Sequence, residues 1–66
     1  MTHLEQLVNT FTSIGYTFVI LKQDGWTYVV LCNEDDIGLL ENANPAHIYD
    51  HAMFEFDELG NWGSYP

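Results

Sequence analysis

The chain has no arginine, and Lys22 is its single basic side chain apart from three histidines. Binding DNA, RNA or anionic lipid draws on Lys and Arg to release the counterions that phosphate holds. Ten carboxylates and a net charge of −9 oppose that lone cation, which excludes direct nucleic-acid binding and a membrane-surface role. Cysteine is almost as scarce. Cys32 stands alone, so no disulfide closes within the chain, and a lone thiol fits a reducing cytoplasm. The longest apolar run, Phe18 to Leu21, falls far short of the ~20 residues that span a bilayer. The N-terminus lacks the basic-then-apolar layout of a secretory signal, so the expected location is cytoplasmic.

Catalytic signatures are missing as well. There is no G-x-S-x-G elbow, no glycine-rich phosphate loop and no H-E-x-x-H zinc motif. Cys32 falls in a predicted strand among apolar neighbours, where a thiol behaves as a small inert hydrophobe. The expectation is a non-enzyme with no catalytic residue and no cofactor. His47 and His51 are four apart and would share a face of a helical turn beside Asp50, a spacing that can chelate zinc. No further Cys or His lies at a recognisable spacing, and histidines near a helix C-terminus are favoured by its dipole. No metal site is assigned.

What is present points to one folded domain. Sixty-six residues leave no room for a second, and 47% hydrophobic content with ten aromatics argues for a dense core, a dimer, or both. Thr2-His3-Leu4-Glu5 reads as a capping box. Leu4, Leu7, Val8, Phe11 and Ile14 then recur at steps of three and four, which predicts a helix over 3–14 that Gly15 ends in a left-handed conformation. Asp24-Gly25 lies between two β-branched and aromatic runs. That dipeptide supplies the positive φ angles of a type I′ turn and predicts a hairpin. Its register sets Gln23 opposite Trp26, Leu21 opposite Tyr28 and Val19 opposite Val30 on one face; Ile20 with Val29 and Phe18 with Leu31 fall on the other. Both faces are apolar, and one helix covers only one of them.

Residues 33–44 read as a polar, acidic connection interrupted by Ile37, Leu39 and Leu40. Asn44-Pro45 reads as an N-cap and first helical position, opening a short helix through about Asp50. Ala52 to Asp57 alternates as a strand, Glu58-Leu59-Gly60 as a turn, and Asn61 to Tyr65 as a short returning edge strand. The expected fold is α+β: a helix on a four-stranded antiparallel sheet, ordered α-β-β-(short α)-β-β.

The carboxylates fall into two groups, Glu34-Asp35-Asp36-Glu41 and Glu55-Asp57-Glu58. On a strand, Glu55 and Asp57 would point the same way about 6.6 Å apart. Two phosphate steps of one DNA strand advance about 6.8 Å, so such a row fits a groove built for nucleic acid. The alternative is that acidity only keeps an apolar protein soluble. The surplus hairpin face (Val19, Leu21, Trp26, Tyr28, Val30) is core if residues 37–50 cover it. Left open, it is an interaction patch or a homodimer interface.

Size, charge and layout together resemble the small acidic proteins that bacteriophages use against host enzymes. These include uracil-DNA glycosylase inhibitors and anti-CRISPR proteins, whose common device is DNA mimicry and whose effect is evasion of host defence. The ending Phe54-Glu55-Phe56-Asp57-Glu58-Leu59-Gly60-Asn61-Trp62 is similar to the closing hairpin of many short phage-encoded proteins. The glutamate-serine-isoleucine stretch of one glycosylase-inhibitor type is absent, so no active residue carries over. The resemblance implies an enzyme inhibitor whose partner is a basic nucleic-acid-binding protein. Contacts are expected from Glu34, Asp35, Asp36, Glu41, Glu55, Asp57 and Glu58, anchored by Leu21, Trp26, Tyr28, Val30 and Trp62. The competing expectation is a dimeric structural or adaptor module that uses the apolar sheet face.

Overall fold

A computed structural model describes residues 1–48 and 51–63. Helix α1 covers His3–Ile14. Thr2 caps it: its side-chain oxygen accepts from the Glu5 backbone N–H at 3.2 Å, and its hydroxyl donates to Glu5 Oε1 at 3.2 Å. Gly15 ends the helix at φ 81°, sending its N–H back to the carbonyls of the last turn. Strands β1 (Phe18–Gln23) and β2 (Trp26–Leu31) pair antiparallel in the register that the Asp-Gly turn predicts, with Asp24 at φ 53° and Gly25 at φ 84°. Strand β3 (Met53–Phe56) adds to β2 with Val29 opposite Phe54 and Tyr28 opposite Glu55.

Strand pleating divides the apolar residues into two cores. Leu4, Leu7, Val8 and Phe11 of α1 pack on Phe18, Val29, Leu31, Phe54 and Phe56. Ile14, expected on the same stripe, is 57% exposed at the last helical turn. On the opposite face Val19, Leu21 and Val30 pack beneath Leu40 and Ile48, with Ile37, Ala43 and Met53 at the margin. Val29, Val30 and Phe56 have no exposed surface, and full burial of such side chains stabilises by roughly 1.5–3 kcal/mol each. The surplus hairpin face is therefore covered from within the chain. The cover is a 3-10 turn at Glu34–Asp36, the short helix α2 (Ile37–Leu40) and a 3-10 turn at Pro45–His47. Asn44 caps the last of these by accepting the Ala46 N–H at 2.9 Å, as predicted, but the turn stops at Ile48. Asp50, its expected end, lies outside the described residues.

Among the described residues the sheet has three strands in the order β1-β2-β3, not the expected four. The returning segment makes one bridge, Phe56 to Trp62, with Asp57 N–H to Asn61 O at 2.9 Å and Gly63 N–H to Glu55 O at 3.0 Å. Its outward groups are taken by the helix. Trp62 N–H donates to His3 Nδ1 at 3.0 Å, and Gly60 O accepts the Leu4 N–H at 2.9 Å. The pairing with β3 stops at this one bridge among the described residues, and the outward bonds tie the segment to the start of α1, so in place of the expected fourth strand there is a clasp between β3 and α1. Tyr65, its predicted end, lies outside the described residues. Among the described residues no helix is long and apolar enough to cross a membrane.

Candidate functional site

Because β3 runs antiparallel to β2, its C-terminal turn returns to the tip of the β1–β2 hairpin. This gathers Asp24, Glu55 and Glu58 at one end of the sheet. A β-carbon added at Gly25 would lie 2.6 Å from Glu58 Oε1, so Glu58 lies directly against the hairpin turn. Glu55 and Asp24 both act on Tyr28: burial first, then these two carboxylates, hold its phenol above the ordinary tyrosine range. Lys22, Asp24, Trp26 and Glu58 line an open depression of about 360 Å³ at the tip. Trp26 is 37% exposed, and its ring lies across Gly63, where a β-carbon would meet it at 2.7 Å. Leu59, 74% exposed, projects from the same turn.

Asp57 belongs to this end of the sequence but not to its exposed charge. It leaves the strand instead of continuing the row begun by Glu55. Its Oδ1 accepts the N–H groups of Leu59 and Asn61, each at 2.9 Å, and its carbonyl accepts the Gly60 N–H at 3.0 Å. Short polar side chains form such turns because they replace a backbone acceptor. Because β3 ends at Phe56, Glu55 and Asp57 do not lie along one strand as expected.

Glu34, Asp35 and Asp36 lie at the opposite end of the sheet, beyond β2, in the turn that opens α2. Glu34 and Asp35 are exposed; Asp36 is half-buried, with its Oδ2 4.0 Å from His51 Nε2. That contact is ionic only when His51 is protonated. Burial, then the Asp36 charge, pushes the Cys32 thiol up. Glu41 is exposed just after α2. The two acidic ends stand apart by the length of β2. Five steps along a strand span about 17 Å, or about five phosphate steps of B-DNA.

The apolar residues expected to anchor a partner separate into two sets. Leu21 and Val30 are 5% and 0% exposed, so both are core and offer a partner no surface. The patch that an open hairpin face would have presented is covered by Leu40 and Ile48. Tyr28 is half-buried, while Trp26 and Trp62 remain accessible. Trp62, 48% exposed, stacks on Phe56 with ring centroids 4.7 Å apart and also faces His3 and Phe54. His47 and His51 do not share a helical face, since the turn between them ends at Ile48. Among the described residues no three His, Cys, Asp or Glu side chains converge as a metal-holding group.

Sequence reasoning missed Asp24 and Leu59 as members of the tip. Their placement depends on β3 returning to the hairpin turn, a long-range pairing that no local pattern announces. Compared with protein-family models, with curated proteins and with solved structures, the chain matches none of them.

Proposed function

We propose that this chain is a non-catalytic inhibitor that occupies the basic, nucleic-acid-binding groove of an enzyme. Its carboxylates would sit where phosphates otherwise would, and the partner is of the uracil-DNA glycosylase or CRISPR-effector kind. The observation that carries this reading is uncompensated surface charge. Asp24, Glu34, Asp35, Glu41 and Glu58 are exposed, and among the described residues the only carboxylate within ion-pair distance of a cationic side chain is Asp36, beside His51. A groove lined with Lys and Arg would be approached quickly and held strongly at low ionic strength. Trp26 and Leu59 at the tip supply apolar anchors beside Glu58. A phage-type inhibitor of this kind acts in the host cytoplasm, and we place this chain there.

The test uses two purified enzymes, a uracil-DNA glycosylase and a CRISPR effector, run over the immobilised chain. The comparison protein carries Asp24→Lys, Glu34→Lys, Asp35→Lys and Glu58→Lys. Each reversal adds two charges, which brings the net charge from −9 to −1. At least one enzyme should be retained by the parent chain, released by salt between about 50 and 500 mM, and displaced by duplex DNA. Equal retention by the two proteins, or retention that DNA leaves untouched, refutes mimicry.

A further inference from the structure

The two edges of the sheet are treated differently. Along β3, the clasp occupies the outward Glu55 C=O and, just beyond the strand, the Asp57 N–H. On β1 no described residue does so. Residues flanking a two-residue hairpin turn exchange both hydrogen bonds, and bonded pairs then alternate along the ladder. Gln23–Trp26, Leu21–Tyr28 and Val19–Val30 are thus the bonded pairs, a series that Cys32 N–H to Thr17 O at 3.1 Å continues. The N–H and C=O groups of Phe18, Ile20 and Lys22 consequently point away from β2. They have no hydrogen-bond partner among the described residues, and Ile20 is 46% exposed beside them.

We propose that a second copy of this chain pairs with this edge, antiparallel, about a two-fold axis at Ile20. Three residues with outward backbone groups, evenly spaced about Ile20, form a self-complementary set. Ile20 would meet Ile20 of the second copy, and Phe18 would meet Lys22, giving six backbone hydrogen bonds and one continuous six-stranded sheet. Charge selects this edge for a like partner. β1 carries no carboxylate and holds the only lysine of a chain whose net charge is −9. It is therefore where two such chains meet with least repulsion. A lysine on a free edge ordinarily discourages pairing. Here it faces an anionic partner: Lys22 would lie opposite Phe18 of the second copy, whose cross-strand neighbour Leu31 is three residues from Glu34. This inference is independent of the groove-binding proposal, and the acidic ends stay free in the dimer.

One six-residue edge buries less than the roughly 800 Å² per partner of stable complexes, so association is weak, with a dissociation constant on the order of 100 µM. Backbone amide exchange reads it residue by residue. From about 20 µM to about 1 mM protein, exchange at Phe18, Ile20 and Lys22 should slow by roughly fourfold, while Val19 and Leu21 stay protected throughout. Raising salt from about 50 to about 500 mM should tighten the association, because it screens like charges; groove binding weakens under the same change. Ile20→Glu should keep the monomer's circular dichroism and abolish the concentration dependence. Exchange at the three amides that ignores concentration at both salt levels overturns the second-copy assignment. Slowing of those amides only when a cationic protein is added overturns it in favour of a foreign strand.

Discussion

Gly60 and Gly15 share a left-handed backbone, at φ 84° and φ 81°, yet replacing each by alanine should have different consequences. A side chain in that conformation costs about 1–2 kcal/mol. At Gly15 nothing lies within 4 Å of an added β-carbon, so strain is the whole cost. At Gly60 the new carbon would lie 2.9 Å from Thr2 Oγ1 and 3.0 Å from Thr2 Cβ. Thr2 is the cap of α1, and loss of such a cap removes about 1 kcal/mol more. Displacing Gly60 O would also loosen its bond to Leu4 N–H, so the total comes to about 3–4 kcal/mol. Stability of a chain this size is roughly 3–10 kcal/mol at ~0.05–0.15 kcal/mol per residue, so Gly60→Ala consumes a large part of it. In thermal unfolding each kcal/mol moves the midpoint by about 4–8 °C, which separates the two variants by roughly 10 °C or more. Equal midpoints for Gly15→Ala and Gly60→Ala would mean that the tail turn does not press on the helix cap, and the clasp between β3 and α1 would be refuted.

Asp57→Ala should destabilise by about 1–3 kcal/mol in urea unfolding, whereas Asp57→Asn, which keeps a side-chain oxygen for the Leu59 and Asn61 N–H groups, should lose less than half of that. Tyr28 has a folded pKa above its unfolded value, so the folded state holds its proton longer. The linked stability is complete below pH ~10 and is lost as pH rises above it. Tyr28→Phe should therefore flatten the alkaline loss of stability measured by urea midpoints across that range, and an unchanged slope would count against the burial and carboxylate effects assigned to it. For Cys32, whose thiol is pushed up by burial and then by Asp36, alkylation by iodoacetamide at pH ~8 should run slower than for the unfolded chain. Asp36→Asn should restore part of the rate, and mass spectrometry of quenched samples checks it.

Local chemistry made much of this fold readable. The Thr2 cap, the spacing of Leu4 to Phe11 and the left-handed Gly15 are signals within one helix, and they predict His3–Ile14. The Asp24-Gly25 turn sets the hairpin register because its two positive φ values admit one pairing. Long-range competition decided what failed. The tail has residues that suit a strand, but the N-terminus of α1 also needs acceptors near His3 and Leu4, and Gly60 supplies one of them. The residues over Val19 and Leu21 looked polar because acids dominate 34–36. Ile37 and Leu40, three apart, carry a turn of helix that fills the second core, where the sequence reads as a connection. In the candidate site, the charges were visible but their grouping was not. Asp57 shows why: a carboxylate counted as free surface charge is engaged with its own turn.

The fold itself explains where most of the carboxylates lie. Aspartate and glutamate are depleted in strands and favoured in turns and first helical turns. Asp24, Asp57 and Glu58 occupy turns, Glu5 the first turn of α1, and Glu34 to Asp36 a 3-10 turn, so their positions alone carry no functional weight. What the fold does not explain is the missing opposite charge. Exposed positions such as Asn9, Thr10, Thr12 and Ser13 on α1 would accept lysine or arginine with no loss of packing, and basic residues near a helix C-terminus would be favoured by its dipole. The last turn of α1 has none. Solubility is served as well by mixed signs, and self-repulsion at −9 weakens a domain with two small cores. The missing cations, and not the placement of the acids, are therefore what the groove-binding proposal rests on.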